Sequence, residues 1–152
     1  QDQTLAEEKV VGYRNFANKI WNIARFTKMN LEGRDRRSLL ASDRDLKSED
    51  RRILKELNQL VKKVTKDLDD FRFSPAGEAL YQFLWHRLAD LYIEQIKERL
   101  REGDLAARET LQTCVKTGLK LLHPFMPFVT EAVWSELGEK ESLITSPWPS
   151  SR

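Results

Sequence analysis

The sequence predicts an all-α fold, an antiparallel helical bundle of about four to five helices. Three observations carry this. Apolar residues recur at helical spacing through most of the chain, strand-like alternation is nearly absent, and the segments between the periodic stretches are mostly short and hold Gly, Pro, Ser or Asp. With 152 residues, 40% hydrophobic and 33% charged, the chain is large enough for one apolar core without disulfides or metals. No apolar run approaches the length of a membrane span, and no signal-peptide pattern is present. The single cysteine, Cys114, excludes an internal disulfide and a multi-cysteine metal site. It lies among apolar residues at helical spacing and reads as a buried, inert thiol, in keeping with a cytosolic setting.

The elements follow in order. The first helix is expected from about Thr4 to Met29, and the connection Asn30 to Lys47, with Gly33 and little periodicity, reads as mobile. Ser48 offers an N-cap with Glu49 and Asp50 in the first turn. Behind it Ile53, Leu54, Leu57, Leu60, Val61, Val64, Leu68 and Phe71 form one stripe. Ser74 as cap and Pro75 at the first helical position open a third helix. Its apolar face runs Leu80, Phe83, Leu84, Leu88, Leu91, Ile96 and Leu100. Gly103-Asp104 ends that helix and caps a fourth, with Leu111, Cys114, Val115, Leu119 and Leu122 facing inward, until His123-Pro124 stops it. Pro127 starts a short fifth helix through Trp134 to Leu137, with Thr130-Glu131 placed in its first turn. The tail, residues 143–152, is expected to be extended and pinned by Trp148. His123, followed by two prolines at a helix corner, reads as structural. His86 lacks metal ligands at the right spacing, and Asp90 with Glu94 reads as polar contacts at a helix junction more readily than as an acid/base pair.

Net charge is only +2, but it is unevenly distributed. Lys9, Arg14, Lys19, Arg25, Lys28, Arg34, Arg36 and Arg37 stand against only Glu32 and Asp35 between positions 9 and 37, whereas the rest of the chain is balanced or slightly acidic. Polyanions bind where positive charge is concentrated. Within this basic segment the stretch NFANKIWNIARF, residues 15–26, has helical rhythm yet holds Asn15, Asn18 and Asn22, which are poor helix formers. At about 100° per residue, Tyr13, Phe16, Ala17, Ile20, Ile23, Ala24 and Thr27 share a core face. Arg14, Asn15, Asn18, Asn22 and Arg25 share the opposite one, bordered by Trp21 and Phe26. Amides and guanidiniums match base edges, and aromatic rings stack on unpaired bases. The pattern fits either a reader of single-stranded RNA bases or a solvated face whose polar groups cross-link neighbouring helices.

The run Gly12 to Phe26 closely resembles the helix that opens the anticodon-binding domain of valyl-tRNA synthetases, with the pattern N-F-x-N-K-[IL]-W-N-x-x-R-F. Trp85, Asp90, Tyr92, Ile93, Glu94 and Lys97 resemble that domain's W…DxYIE…K segment. Leu122 to Trp134 resembles its HPxxPFxTExxW segment, which is shared more widely among class I synthetases for aliphatic amino acids. The departures are the Asn30 to Lys47 connection and Leu91, where an aromatic is more usual. The resemblance implies a domain, residues 1–152, that binds the anticodon stem-loop of valine tRNA and reads its second and third anticodon bases, A and C. It implies base contacts from Arg14, Asn15, Asn18, Asn22 and Arg25 and stacking on Trp21 or Phe26. Lys19, Lys28, Arg34, Arg36 and Arg37 would meet phosphates, which position without specifying.

The fragment itself is expected to be non-catalytic, without cofactor or metal. The glycines form no phosphate-cradling loop, neither histidine belongs to a His-x-Gly-His signature, and Lys28-Met29-Asn30 is not the Lys-Met-Ser-Lys-Ser loop. By the resemblance, ATP and Mg serve the catalytic domain of a parent valine–tRNA ligase, and that domain would be a partner of this one. Opening on Gln1 in apparent helix, the chain reads as a piece of something longer, monomeric and cytoplasmic, with no membrane partner. Two other functions are weighed. A protein–protein module would need an exposed apolar patch, and none is left over once the core faces are assigned. A tRNA-binding domain without valine selectivity would keep the basic face and lose anticodon preference.

Overall fold

The computed structural model describes the backbone of residues 2–31 and 45–151, with side chains from residue 7 onward in the first of these segments. Its order is α1 (Asp2–Leu31), α2 (Ser48–Asp69), α3 (Phe73–Tyr81), a π-helical stretch (Gln82–Tyr92), α4 (Ile93–Arg101), α5 (Leu105–Leu122), α6 (Pro127–Glu136) and a 3-10 turn (Leu143–Thr145). No strand occurs among the described residues. Helix α3, the π stretch and α4 run on without leaving helical dihedrals, so the described residues form a bundle of five helical rods. Helix α5 is its centre, packed against α1, α2, α4 and α6, while α2 also lies along α3 and the π stretch.

The predicted stripes form the core, except that Phe71, expected on the α2 stripe, is 79% exposed, because α2 ends at Asp69 and the chain turns there with Phe71 at φ +58. Ile53, Leu57, Leu60, Val61 and Val64 of α2 are buried, as are Leu111, Cys114, Val115, Leu119 and Leu122 of α5. Each such side chain contributes roughly 1.5–3 kcal/mol by leaving water. The packing is close at Gly118. A Cβ there would lie 2.7 Å from Cδ2 of Leu84, inside van der Waals contact.

The π stretch is the largest departure from the expected register. A repeat of 3.6 residues places Leu91 on the core face, but Leu91 is only half-buried and Tyr92 is buried in its stead. The backbone here bonds across five residues, as when Ile93 N–H donates to the Leu88 carbonyl. Buried Phe83, Leu88 and Ile93 follow that same spacing of five.

Helix ends also shift. The cap residue of α2 is Lys47, not Ser48, and the Asp50 carboxylate accepts the Lys47 backbone N–H at 2.9 Å. Helix α3 begins at Phe73, so Ser74 lies inside the first turn and caps nothing. Asp104 caps α5 as expected, accepting the Ala107 N–H at 3.2 Å, after Gly103 turns the chain at φ +84. In α6, Glu131 lies past the first turn. It clasps the tail instead, accepting the backbone N–H groups of Leu143 (2.8 Å) and Ile144 (3.2 Å). The tail is thus a 3-10 turn followed by extended chain, and Trp148 Nε1 donates to Thr65 Oγ1 at 2.9 Å.

Candidate nucleic-acid interface

Helix α1 is held to the bundle by one face. Phe16, Ile20, Ile23, Ala24 and Thr27 are buried there, and the Thr27 hydroxyl donates to the Ile23 carbonyl at 2.8 Å. Tyr13, expected on this face, is 51% exposed. It lies toward the open end of the helix, and a periodicity gives the direction of a side chain without giving the reach of the neighbouring helix.

Arg14, Asn15, Asn18, Asn22 and Arg25 are all exposed on the other side. Among the described residues, Arg14 and the three asparagines take no side-chain partner, and Arg25 has only the Trp21 ring, 5.7 Å from its guanidinium carbon. These amides therefore cross-link nothing in the described bundle. Trp21 and Phe26 border the stripe half-buried, each packed on the core with part of its surface left open. Fixed rings beside unpaired amides and a guanidinium can stack an unpaired base and meet its edge.

The two lysines are differently placed. Lys19 donates to Asp90 Oδ1 at 3.2 Å and sits 5.2 Å over the Trp85 ring. Lys28 reaches Glu136 at 3.4 Å. Both pairs are substantially exposed and exchange readily with water or phosphate. Arg34, Arg36 and Arg37 lie outside the described residues.

The second motif is accounted for by packing and pairing. Trp85 lies nearly parallel to Phe16 at 6.5 Å and against Tyr81 at 5.4 Å. Asp90 takes Lys19 and His86 Nδ1 (3.3 Å), and Glu94 takes Lys97 (2.5 Å). Desolvation opposes the Asp90 charge, but Lys19 and His86 together outweigh it and hold the carboxyl below its ordinary 3.8. No group of His, Cys, Asp and Glu able to hold a metal occurs among the described residues. In the third motif, His123 Nδ1 pairs with Thr130 Oγ1 at 2.9 Å. Thr130 in turn donates to the Met126 carbonyl at 2.8 Å, and Trp134 is buried with its N–H on the Glu141 carbonyl at 3.0 Å. These residues tie a corner together.

One polar centre has no counterpart in the sequence reading. Arg99 donates to both oxygens of buried Asp50 (2.9 and 2.7 Å), to Glu49 (3.0 Å) and to Asp104 (2.9 Å), and the Tyr92 hydroxyl donates to Asp50 at 2.6 Å. Burial pushes the Asp50 carboxyl up. The hydrogen bonds from Arg99, Tyr92 and the Lys47 N–H, with the charge of Arg99, overcome this and leave it below 3.8. Burial first, and then donation to Asp50, push the Tyr92 phenol far up, and burial raises the Cys114 thiol, which keeps it inert. Asp104 is only five residues from Arg99, but Glu49 and Asp50 lie 50 and 49 residues from it in the chain, so no local pattern reveals the centre.

Comparison with known proteins gives the relatives of the chain. Residues 50–152 match the family described as the anticodon-binding domain of tRNA ligase. The chain is 43% identical to the valine–tRNA ligase of Carboxydothermus hydrogenoformans over 95% of its own length, and 45% identical to that of Geobacter sulfurreducens over 90%. It is 41% identical to the Geobacillus kaustophilus enzyme over its whole length. The chain spans 16–18% of the length of these relatives. In fold it superposes, at TM-score 0.68 and 20% identity over 93% of its length, on 16% of a chain solved as the ternary complex of Agrobacterium radiobacter K84 agnB2 LeuRS with tRNA and LeuAMS.

Proposed function

The chain belongs to the family of anticodon-binding domains of tRNA ligases, and from that premise we propose that it grips the anticodon stem-loop of valine tRNA. It would serve as the non-catalytic recognition part of a cytoplasmic, monomeric valine–tRNA ligase. In that ligase another domain would use ATP and Mg to activate valine, while these helices select the RNA. The observation that carries the reading is the stripe of Arg14, Asn15, Asn18, Asn22 and Arg25. Three asparagines cost α1 helix propensity, stand in water, and bond to no described part of the bundle. A ligand that supplies base edges explains the cost. Asn18, Asn22 and Arg25 meet base edges, Phe26 or Trp21 stacks a base, and Lys19 and Lys28 exchange their carboxylates for phosphates.

The test is a fluorescence titration at low salt, where even non-specific binding of roughly 10⁻⁴ to 10⁻⁶ M can be followed. A hairpin carrying the valine anticodon is compared with one whose second and third anticodon bases are exchanged. A preference for the first that is lost in Asn18→Ala or Arg25→Ala supports the reading. Equal affinity for both hairpins, with a steep salt dependence, reduces α1 to a phosphate grip and leaves valine selectivity to the rest of the ligase.

A further inference from the structure

Helix α2 is nearly balanced in charge along its sequence and one-sided in space. Four of its acids are engaged by partners: Glu49 and Asp50 hold Arg99, Glu56 holds Arg87 at 2.6 Å, and buried Asp67 holds Lys63 at 3.0 Å. At about 100° per residue, exposed Arg51, Arg52, Lys55, Lys62, Lys63 and Lys66 fall within about one third of a turn, opposite the core stripe. Among the described residues, Lys63 alone of these six has a carboxylate partner. The row runs for roughly 22 Å and is closed by Asp69 and Asp70. Near its end Lys62, Lys63, Lys66 and Arg72 line a groove of about 450 Å³ with Gln59 and Asp67. Aromatic rings border it. Phe71 and Phe73, either side of Arg72 in sequence, are 79% and 55% exposed with ring centroids 6.3 Å apart. Trp148, 40% exposed, is bonded to Thr65 beside Lys66. Phe71 stands where a helix ordinarily places glycine. Its N–H donates to the Leu68 carbonyl at 3.1 Å and the Arg72 N–H to that of Asp67 at 2.6 Å, the paired bonds of a left-handed helix ending. At φ +58 a bulky side chain is strained, and a ring left mostly in water offsets little of that by burial. A ligand explains a strained ring held beside unpaired cations, and the fold does not.

We propose that this face of α2 is a second RNA surface, which takes an unpaired strand with its phosphates along Lys55, Lys62, Lys66 and Arg72 and a base stacked on Phe71 or Phe73. A cationic row bordered by aromatic rings suits an unpaired strand of any sequence, since phosphates and ring faces are common to all nucleotides. Helices α1 and α2 each pack on α5 and the π stretch but little on one another, so they take opposite corners of the bundle and their outer faces point apart. A loop held by the α1 asparagines therefore does not also lie in the α2 groove. The strand taken here is a different stretch of RNA, gripped without regard to anticodon. A bilayer fits less well, because the exposed face of α2 carries no aliphatic side chain to enter the acyl region.

The probe is oligouridylate of about eight nucleotides, which forms no hairpin and offers neither A nor C to α1. Its binding to the 152-residue chain is followed by fluorescence titration at low salt. Lys62→Gln combined with Lys66→Gln should lower the slope of log affinity against log salt by about 1.4. Phe71→Gly removes the ring and suits the left-handed turn. It should weaken oligouridylate roughly fivefold or more while the melting midpoint holds or rises. Neither change should alter the preference between the two anticodon hairpins, and Asn18→Ala should leave oligouridylate binding as it is. A wild-type chain that binds no oligouridylate overturns the proposal. So does a Phe71→Gly chain that binds as wild type, which leaves a solvated cationic face, or loss of binding in Asn18→Ala, which gives the strand to α1. Displacement of the oligonucleotide by phosphatidylserine vesicles, lost in Phe71→Gly, gives the face to a membrane instead. A wild-type chain without anticodon preference would end the reading of α1 while the oligouridylate titration still decides the face of α2.

Discussion

Two groups of polar residues in this domain differ in where their hydrogen-bonding groups find partners. At the junction of α2, the π stretch and α4, Arg99, Asp50, Tyr92, Glu49 and Asp104 are largely buried and satisfy one another. On α1, Arg14, Asn15, Asn18 and Asn22 have comparable hydrogen-bonding capacity and take no described partner. Buried polar groups must be paired within the fold, because an unpaired one costs the full desolvation penalty. Exposed ones can be kept for a ligand, and the poor helix propensity of asparagine is then the only cost. The contrast separates residues that hold the bundle from residues available to RNA.

The largest effect is expected from breaking the paired group. Arg99→Ala leaves Asp50 buried with only Tyr92 and one backbone N–H, and should cost about 3–5 kcal/mol in urea unfolding. Hairpin affinity should change less than twofold while the protein is folded. A loss below about 1 kcal/mol would mean that the group is not the clasp described here.

Acid should dissolve the same contrast. Asp50 and Asp104 are held below 3.8 in the folded chain, for Asp104 because Arg99 and the α5 N-terminus outweigh its burial. A depressed folded pKa gives stability that is complete above the unfolded value and lost as pH falls through the folded one. The urea midpoint should therefore stay flat on this account from pH 7 to about 5 and fall below 3.8. Arg99→Met should lose much of that acid-dependent step.

On the exposed stripe the expectation reverses. Asn18→Ala and Asn22→Ala should leave stability unchanged or raise it by a few tenths of a kcal/mol, since alanine is the better helix former. Each should weaken the valine-anticodon hairpin by roughly 1–3 kcal/mol, or about 5- to 150-fold. The smallest effect is that of Lys19→Met. Loss of the exposed Asp90 pair should cost under about 1 kcal/mol, while the slope of log affinity against log salt should drop by about 1.

Much of this was legible in the sequence. A repeat of 3.6 apolar positions gave the helices, and Gly103-Asp104 and Pro127 gave their boundaries, because these signals are local. The register shift at Leu91 and Tyr92 was not legible, since it depends on a backbone bonding pattern that the apolar spacing alone does not announce. The exposure of Asn15, Asn18 and Asn22 could be read from their angular position on α1. The partners of Lys19 and Lys28, Asp90 and Glu136, lie 71 and 108 residues away, and only the folded bundle brings them together.

The central claim is that the α1 amides meet bases. The most direct measurement follows the side-chain amide resonances of Asn15, Asn18 and Asn22 in labelled protein as the valine-anticodon hairpin is added, beside the base-exchanged hairpin. The account predicts that Asn18 and Asn22 shift with the first hairpin and much less with the second, while the amides of Asn58 and Gln112 stay still. Binding that moves only lysine and arginine signals, equally for both hairpins, would contradict it.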